Sequence, residues 1–218
     1  MKLIIFDFDG TLVDSRKLIL ELHRRVFGEF DLKCPAEDES LSLIGKSLEL
    51  VLAQLAGPDA PVAKMTEAYG RLLPVLREDP AFAEAPFDGA GDLIATLAAR
   101  NDTRLAIATG HVSQAVEPAL AKLGWRDFFS SVQTADKAPS KPHPGMLLQV
   151  LSETGMRAHD AIMVGDTAFD MEMAAAAGIA SIGVAWGYHH GDRLRAAGAG
   201  QVVDTMAGLR ALLETAGV

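Results

Sequence analysis

The chain has 218 residues, enough for one main core plus an insertion and too few for two large independent domains. Apolar residues make up 49% and charged residues 22%, which excludes the low-hydrophobicity, high-charge composition of a disordered chain. Twenty Lys plus Arg against 29 Asp plus Glu give a formal charge of −9, a field that repels nucleic acid and anionic membrane surfaces, so an anionic substrate needs a local positive device.

The N-terminal run Leu3 to Phe6 is strand-sized and turns acidic at Asp7, well short of the roughly seven apolar residues at the centre of a signal peptide. No later stretch reaches the roughly 18 uninterrupted apolar residues of a membrane span. Cys34 is the single cysteine, so neither an internal disulfide nor a Cys-based zinc site is available within one chain, and it reads as a small apolar filler. A cytoplasmic protein with no membrane and no nucleic-acid partner, monomeric or homodimeric, is the expectation.

From residue 14 to residue 86 the pattern is helical, with no convincing strand. Leu18, Leu22 and Val26 form one stripe, Leu48, Val51, Leu52 and Leu55 a second, and Met65, Tyr69, Leu72, Leu73 and Leu76 a third. This segment reads as an inserted helical cap over 14–86, leaving 1–13 and 87–218 as the core domain. In the core, further strand-sized runs at Leu105 to Ala108, Ala161 to Val164, Ala180 to Val184 and Gln201 to Val203 alternate with helical spacing. That alternation predicts an α/β fold, a doubly wound, mostly parallel, Rossmann-like sheet with helices on both faces. Pro118 falls inside one predicted helix, where it would kink or delay it.

In such sheets ligands bind beyond the carboxyl ends of the strands, so the residues following each strand are the ones to inspect. The first strand runs into Asp7-Phe8-Asp9-Gly10-Thr11, a pair of carboxylates suited to attack on phosphorus and to acid–base work, and equally to a solvated turn. The second is followed by Thr109-Gly110, a hydroxyl and an amide that can hold an anion's oxygens. Lys141 stands in the proline-braced run Pro139 to Pro144, and Gly165-Asp166-Thr167-Ala168-Phe169-Asp170 follows the next strand with two acids one helical turn apart. Each piece alone has a structural reading; their order along four connections is the informative feature. His189 and His190 are adjacent, which points them different ways, and with no Cys or carboxylate at ligand spacing they read as part of a surface loop.

This set and order resemble the haloacid dehalogenase-like hydrolase superfamily, and Asp7 to Ser15, Lys141 to Pro144, Gly165 to Asp170 and Val184 to Gly198 look most like its phosphoglycolate phosphatase branch. The resemblance implies a Mg²⁺-dependent phosphatase acting on a small phosphorylated metabolite through an aspartyl-phosphate. Asp7 would be the nucleophile and Asp9 the general acid and base. Thr109 with the Gly110 amide would bind phosphate oxygens, Lys141 would balance charge, and Asp7, Asp9 through its carbonyl, Asp166 and Asp170 would serve the metal. The presence of Asp9 argues against carbon–halogen cleavage. His111 stands where family phosphatases often have Asn or another small residue, so no role carries over to it. Lys46, entering a cap helix, is the candidate contact for a substrate carboxylate such as that of phosphoglycolate. A phosphoglucomutase-like transferase, a pyrophosphatase or phosphonatase on the same scaffold, and a catalytically idle binding protein are the alternatives.

Overall fold

The computed structural model describes residues 1–215. The chain starts with β1 (Lys2–Phe6) and a two-residue β2 (Val13–Asp14), then forms four helices, α1 (Arg16–Glu29), α2 (Glu37–Ser42), α3 (Leu48–Ala56) and α4 (Val62–Arg77), before β3 (Ala85–Pro86). Strands and helices then alternate: α5 (Ala90–Ala98), β4 (Thr103–Ala108), α6 (Ser113–Lys122), β5 (Phe129–Gln133), α7 (Gly145–Thr154), β6 (Ala161–Gly165) and α8 (Ala168–Ala176). The last elements are β7 (Ala180–Val184), α9 (Gly191–Ala196), β8 (Gln201–Val203) and α10 (Met206–Thr215).

Six strands form one sheet in the order β5-β4-β1-β6-β7-β8, and every pairing in it is parallel. Because successive side chains of a strand face opposite ways, β1 serves two cores. Leu3 and Ile5 pack with Met146, Leu147 and Val150 of α7 and Met173 of α8. Ile4 and Phe6 pack on the other side with Leu93 and Leu97 of α5, Val116 of α6 and Leu209 of α10. From β1 the chain builds outward through β4 to β5 on one side, then returns to build β6, β7 and β8 on the other. The direction of winding therefore reverses at β1, and a crevice opens past its carboxyl end, between the loops after β4 and β6.

The helices α1, α3 and α4 share a separate apolar cluster that includes Leu22, Phe27, Leu52, Met65 and Leu76, with Ala115 of α6 reaching into it from the sheet side. The chain enters and leaves this helical layer through an antiparallel ribbon in which Val13 pairs with Pro86 and Asp14 with Ala85. Two residues per strand are too few to leave a periodic trace, so the pattern of 14–86 shows helices alone. At the same neck Arg77 reaches Glu84 at 2.6 Å and donates to the Ala115 carbonyl at 2.6 Å, tying α4 to the core.

Other expectations change. Cys34 is exposed rather than a filler. The helix α6 runs through Pro118 and is neither delayed nor ended by it. Elements unassigned above are present, among them α5 and the edge strand β5, whose sequence Phe-Ser-Ser-Val-Gln hides its alternation behind buried polar groups. Ser131 there donates to Glu153 at 2.6 Å and accepts from Gln133 at 3.1 Å, which satisfies those groups internally. None of the described helices is long and apolar enough to cross a membrane.

His23 is buried in α1, and burial pulls its pKa down to about 4. The unfolded chain therefore takes up this proton near pH 6.5 and the folded chain only near pH 4, so stability is full above pH 6.5 and falls as pH drops between those values. Denaturant melts at pH 7 and pH 5 should show His23 costing about 2 kcal/mol over that interval. His23→Gln should lose correspondingly less; an unchanged pH slope would contradict the assignment.

Candidate active site

The turn after β1 is built to bring Asp7 and Asp9 over the end of the sheet. Gly10 has φ +74°, and a Cβ there would strike the Asp166 carboxylate and come within 2.7 Å of the Tyr188 ring, so glycine is required on both counts. Thr11 donates its hydroxyl to Asp166 at 2.9 Å, and the Trp186 indole donates to the Thr11 carbonyl at 3.2 Å, fixing the turn to the strands on the β6–β7 side.

Lys141 lies at the centre. Its side chain is 0% exposed, and its ammonium is 2.8 Å from Asp7 Oδ2 and 2.6 Å from Asp170 Oδ1. Burial opposes the charged lysine, yet Asp170 and Asp7 outweigh it and hold its pKa above the usual value. Asp170 is itself aimed by the start of α8, where its Oδ2 accepts from the Thr167 amide at 3.0 Å and the Thr167 hydroxyl at 2.7 Å in a capping box. Asp166 accepts from Thr11 and, at 2.8 Å, from the Tyr188 amide.

Oxygens of Asp7, Asp166 and Asp170 all lie within 4.8 Å of one another. All three carboxylates are buried, and Lys141 reaches Asp7 and Asp170 directly. Burial pushes Asp7 up to about 7 against the pull of Lys141, and burial followed by the charges of Asp7 and Asp170 raises Asp166 well above the usual carboxylate range. An all-carboxylate donor set with surplus negative charge suits a hard divalent cation such as Mg²⁺, so these residues fit the metal that the sequence resemblance implies.

The Asp9 carboxylate turns away from this cluster. Its Oδ1 accepts from the Ser15 hydroxyl and its Oδ2 lies 2.6 Å from Nε2 of His111. Burial pushes Asp9 up, but His111 and Ser15 outweigh burial and leave its carboxyl below the ordinary value. His111 is the residue that sequence reasoning left without a role, because nothing in a linear pattern shows that the turn after β4 returns it to Asp9. The hydroxyls of Ser15 and Tyr188 lie 3.1 Å apart beside this pair.

Thr109 is buried at the end of β4, its amide bonded to the Gln133 carbonyl at 3.0 Å and its hydroxyl accepting from the His111 amide at 3.2 Å. Gly110 touches the cap: a Cβ there would stand 2.6 Å from the Lys46 carbonyl and 2.8 Å from that of Gly45. Lys46 lines the cavity between cap and sheet, but its ammonium donates to Gln54 at 3.0 Å and lies 4.6 Å from the centre of the Phe169 ring. Two further bonds close the cap on the core. The Ser47 amide donates to Ser140 Oγ at 2.8 Å, and His189 bridges α8 and α2.

His189 departs from the surface-loop expectation, since it is buried while His190 is exposed. Its Nδ1 accepts from the Ala168 amide at 2.9 Å, so the remaining proton sits on Nε2 and donates to the Ser42 carbonyl at 3.0 Å. Burial favours this neutral ring and draws its pKa down to about 4.

Gly110→Ala should push the Gly45–Lys46 turn off the core and lower kcat/KM by roughly 10²-fold, with little change in Tm. Unaltered kinetics in that variant would show that turnover does not need this close approach.

The family model for haloacid dehalogenase-like hydrolases matches residues 4–184. A Dickeya dadantii protein named Probable phosphatase IndB is 37% identical over 209 residues, spanning 93% of this chain and 89% of its own. A phosphoglycolate phosphatase from Pectobacterium atrosepticum is 28% identical over 214 residues, spanning 96% and 91%. Among solved structures, a haloacid dehalogenase-like hydrolase from Streptococcus pneumoniae superposes with a TM-score of 0.85 over 98% of each chain at 23% identity, a likeness of fold. With the match running through the loop after β1, Lys141 and the start of α8, the chain belongs to the haloacid dehalogenase-like hydrolase family.

Proposed function

We propose that the protein is a Mg²⁺-dependent phosphatase that hydrolyses a small phosphomonoester through a phosphorylated Asp7. The observation that carries this reading is that Asp7 and Asp9 line one cavity yet have different partners, Lys141 for the first and His111 for the second. Two carboxylates in unlike surroundings can divide nucleophilic and proton-transfer work. The phosphatase names of the curated relatives support the same reaction class.

In this reading the substrate's phosphoryl group enters beside Asp7, where the Thr109 hydroxyl and the Gly110 amide take its oxygens. A carboxylate oxygen of Asp7 attacks phosphorus while the bond to the ester oxygen breaks. The departing oxygen takes a proton delivered by Asp9, whose carboxylate lies 2.6 Å from His111 Nε2. Asp9 then removes a proton from water, whose oxygen attacks the phosphoryl group and frees Asp7. The sum is ester plus water giving alcohol plus phosphate. Lys141 stays charged throughout and offsets the negative charge gathered at Asp7. Asp7, Asp166 and Asp170, with the Asp9 carbonyl implied by the family pattern, would hold Mg²⁺, which supplies charge neutralisation for the phosphoryl oxygens.

A panel of phosphomonoesters that includes p-nitrophenyl phosphate and 2-phosphoglycolate tests the proposal. Release of inorganic phosphate should need Mg²⁺, stop with a chelator, and fall by roughly 10³-fold or more in Asp7→Asn. Turnover that survives either treatment would sink it, and formation of an isomeric sugar phosphate in place of free phosphate would favour a mutase.

A further inference from the structure

The chain leaves the cap through β3, whose Ala85 pairs with Asp14, and this pairing sets Glu84 beside the turn after β1. An oxygen of Glu84, an oxygen of Asp9 and a ring nitrogen of His111 lie within 4.8 Å of one another. Arg77, the last residue of α4, completes the group, with Nε and Nη2 donating to Glu84 at 2.6 and 3.1 Å and Nη1 donating to the Ala115 carbonyl at 2.6 Å. All four side chains are only 11–14% exposed, so they answer to one another before they answer to water.

Two basic groups face two carboxylates here, and two pairings compete. In the structure Arg77 takes Glu84 and His111 takes Asp9, each at 2.6 Å. The exchanged pairing has much in its favour, since a guanidinium grips a carboxylate with two parallel bonds and Arg77 stands close enough for its charge to be felt at Asp9. What keeps Arg77 away is occupancy: Glu84 holds two of its nitrogens and the Ala115 carbonyl holds the third.

The choice of pairing matters for chemistry. Asp9 Oδ1 accepts from Ser15, so the partner of Oδ2 decides what else the carboxylate can do. An imidazole both gives and takes a proton, whereas a guanidinium has donors alone and keeps them. A forked arginine on Asp9 would tie up its oxygens and draw the carboxylate toward the neck, away from the cavity it shares with Asp7 and Thr109. A salt bridge that served only to bind α4 to the core could lie anywhere along the neck; this one lies against the acid.

Resting on the phosphatase reading above, we infer that Glu84 is a positioning residue for proton transfer: by engaging Arg77 it keeps the guanidinium off Asp9 and reserves that carboxylate for His111. Glu84 does not line the catalytic cavity, and its effect passes through Arg77.

The test uses single turnovers of the Mg²⁺-loaded wild type, Glu84→Gln, His111→Gln and the double variant Arg77→Met with Glu84→Gln, so that only the bond-breaking step is read. The substrates are p-nitrophenyl phosphate and whichever of 2-phosphoglycolate, glycerol 3-phosphate and glucose 6-phosphate the wild type cleaves fastest. An alkoxide needs a proton to leave, and p-nitrophenolate does not. Glu84→Gln and His111→Gln should therefore each slow cleavage of the alkyl ester roughly tenfold or more, and that of p-nitrophenyl phosphate by no more than about twofold. The double variant removes the competitor together with its clamp and should return the alkyl ester to within about threefold of wild type. Equal losses on both esters, no loss in either single variant, or a double variant as slow as Glu84→Gln overturns the inference. Crystal structures of wild type and Glu84→Gln give a readout that needs no turnover: Arg77 should move within hydrogen-bond distance of Asp9 in the variant, and an Arg77 that stays away from Asp9 contradicts the assignment. If wild type cleaves no ester, the phosphatase reading fails on its own, and these structures decide whether Glu84 separates Arg77 from Asp9.

Discussion

Lys141 is an ammonium with no solvent exposure, held 2.8 Å from Asp7 and 2.6 Å from Asp170, and the arrangement of the carboxyl end of the sheet depends on it. Two carboxylates could not be buried beside one another at the end of a parallel sheet without it, and an ammonium could not be buried there without them. Removing one member of such a group leaves an uncompensated buried charge, a loss of about 3–5 kcal/mol. The requirement propagates outward. Asp170 must be aimed by the Thr167 capping box, which fixes where α8 begins, and Asp166 must accept from Thr11 and Tyr188, which fixes the turn after β1 against the loop after β7. The three carboxylates Asp7, Asp166 and Asp170 outnumber the single ammonium of Lys141, a surplus that fits a divalent cation.

The cap is coupled to this centre by a few polar contacts placed around the rim rather than by a continuous apolar interface. His189 to Ser42, Ser47 to Ser140, and the approach of Gly110 to the Gly45–Lys46 turn all join cap to core near the cavity mouth, while Arg77 secures the neck. Bonds of this kind are individually worth about 1 kcal/mol, and apolar contacts add to them: Ala115 of α6 belongs to the cap's cluster, and Tyr188 packs against Ile19, Leu41 and Ile44. The cap has its own core, centred on Leu22, Leu52 and Met65. The cavity lies between the two, with Asp7, Asp9 and Thr109 at the sheet end and Ile19, Val51 and Tyr69 on the cap's inner wall.

The sheet was legible because parallel strands buried on both faces appear as short aliphatic runs, and the five strands read from such runs are all present. The strand β5 escaped because Ser131 and Gln133 occupy buried positions by bonding to each other and to Glu153, a solution that periodicity cannot show. Acids and the lysine after the strands were legible because strand ends converge in this fold whatever the loops do. The pairing of His111 and Ser15 with Asp9 was not, since it depends on which residue lies opposite in space. His189 was misread because adjacency to His190 says that the two side chains diverge, but not which of them turns inward. Lys46 lines the cavity wall, and its engagement by Gln54 and Phe169 could be seen only in the fold.

The central claim is that the carboxylate beside Lys141 becomes phosphorylated during turnover. p-Nitrophenol is a good leaving group that needs little help from an acid, so with p-nitrophenyl phosphate the Asp9→Asn variant should still transfer the phosphoryl group but should be slow to activate the water that releases it. Acid-quenching that reaction with Mg²⁺ present and mapping the peptides by mass spectrometry should find the phosphoryl group on Asp7. Steady release of p-nitrophenol with Asp7 unmodified, or with the phosphoryl group on another residue, would contradict the account.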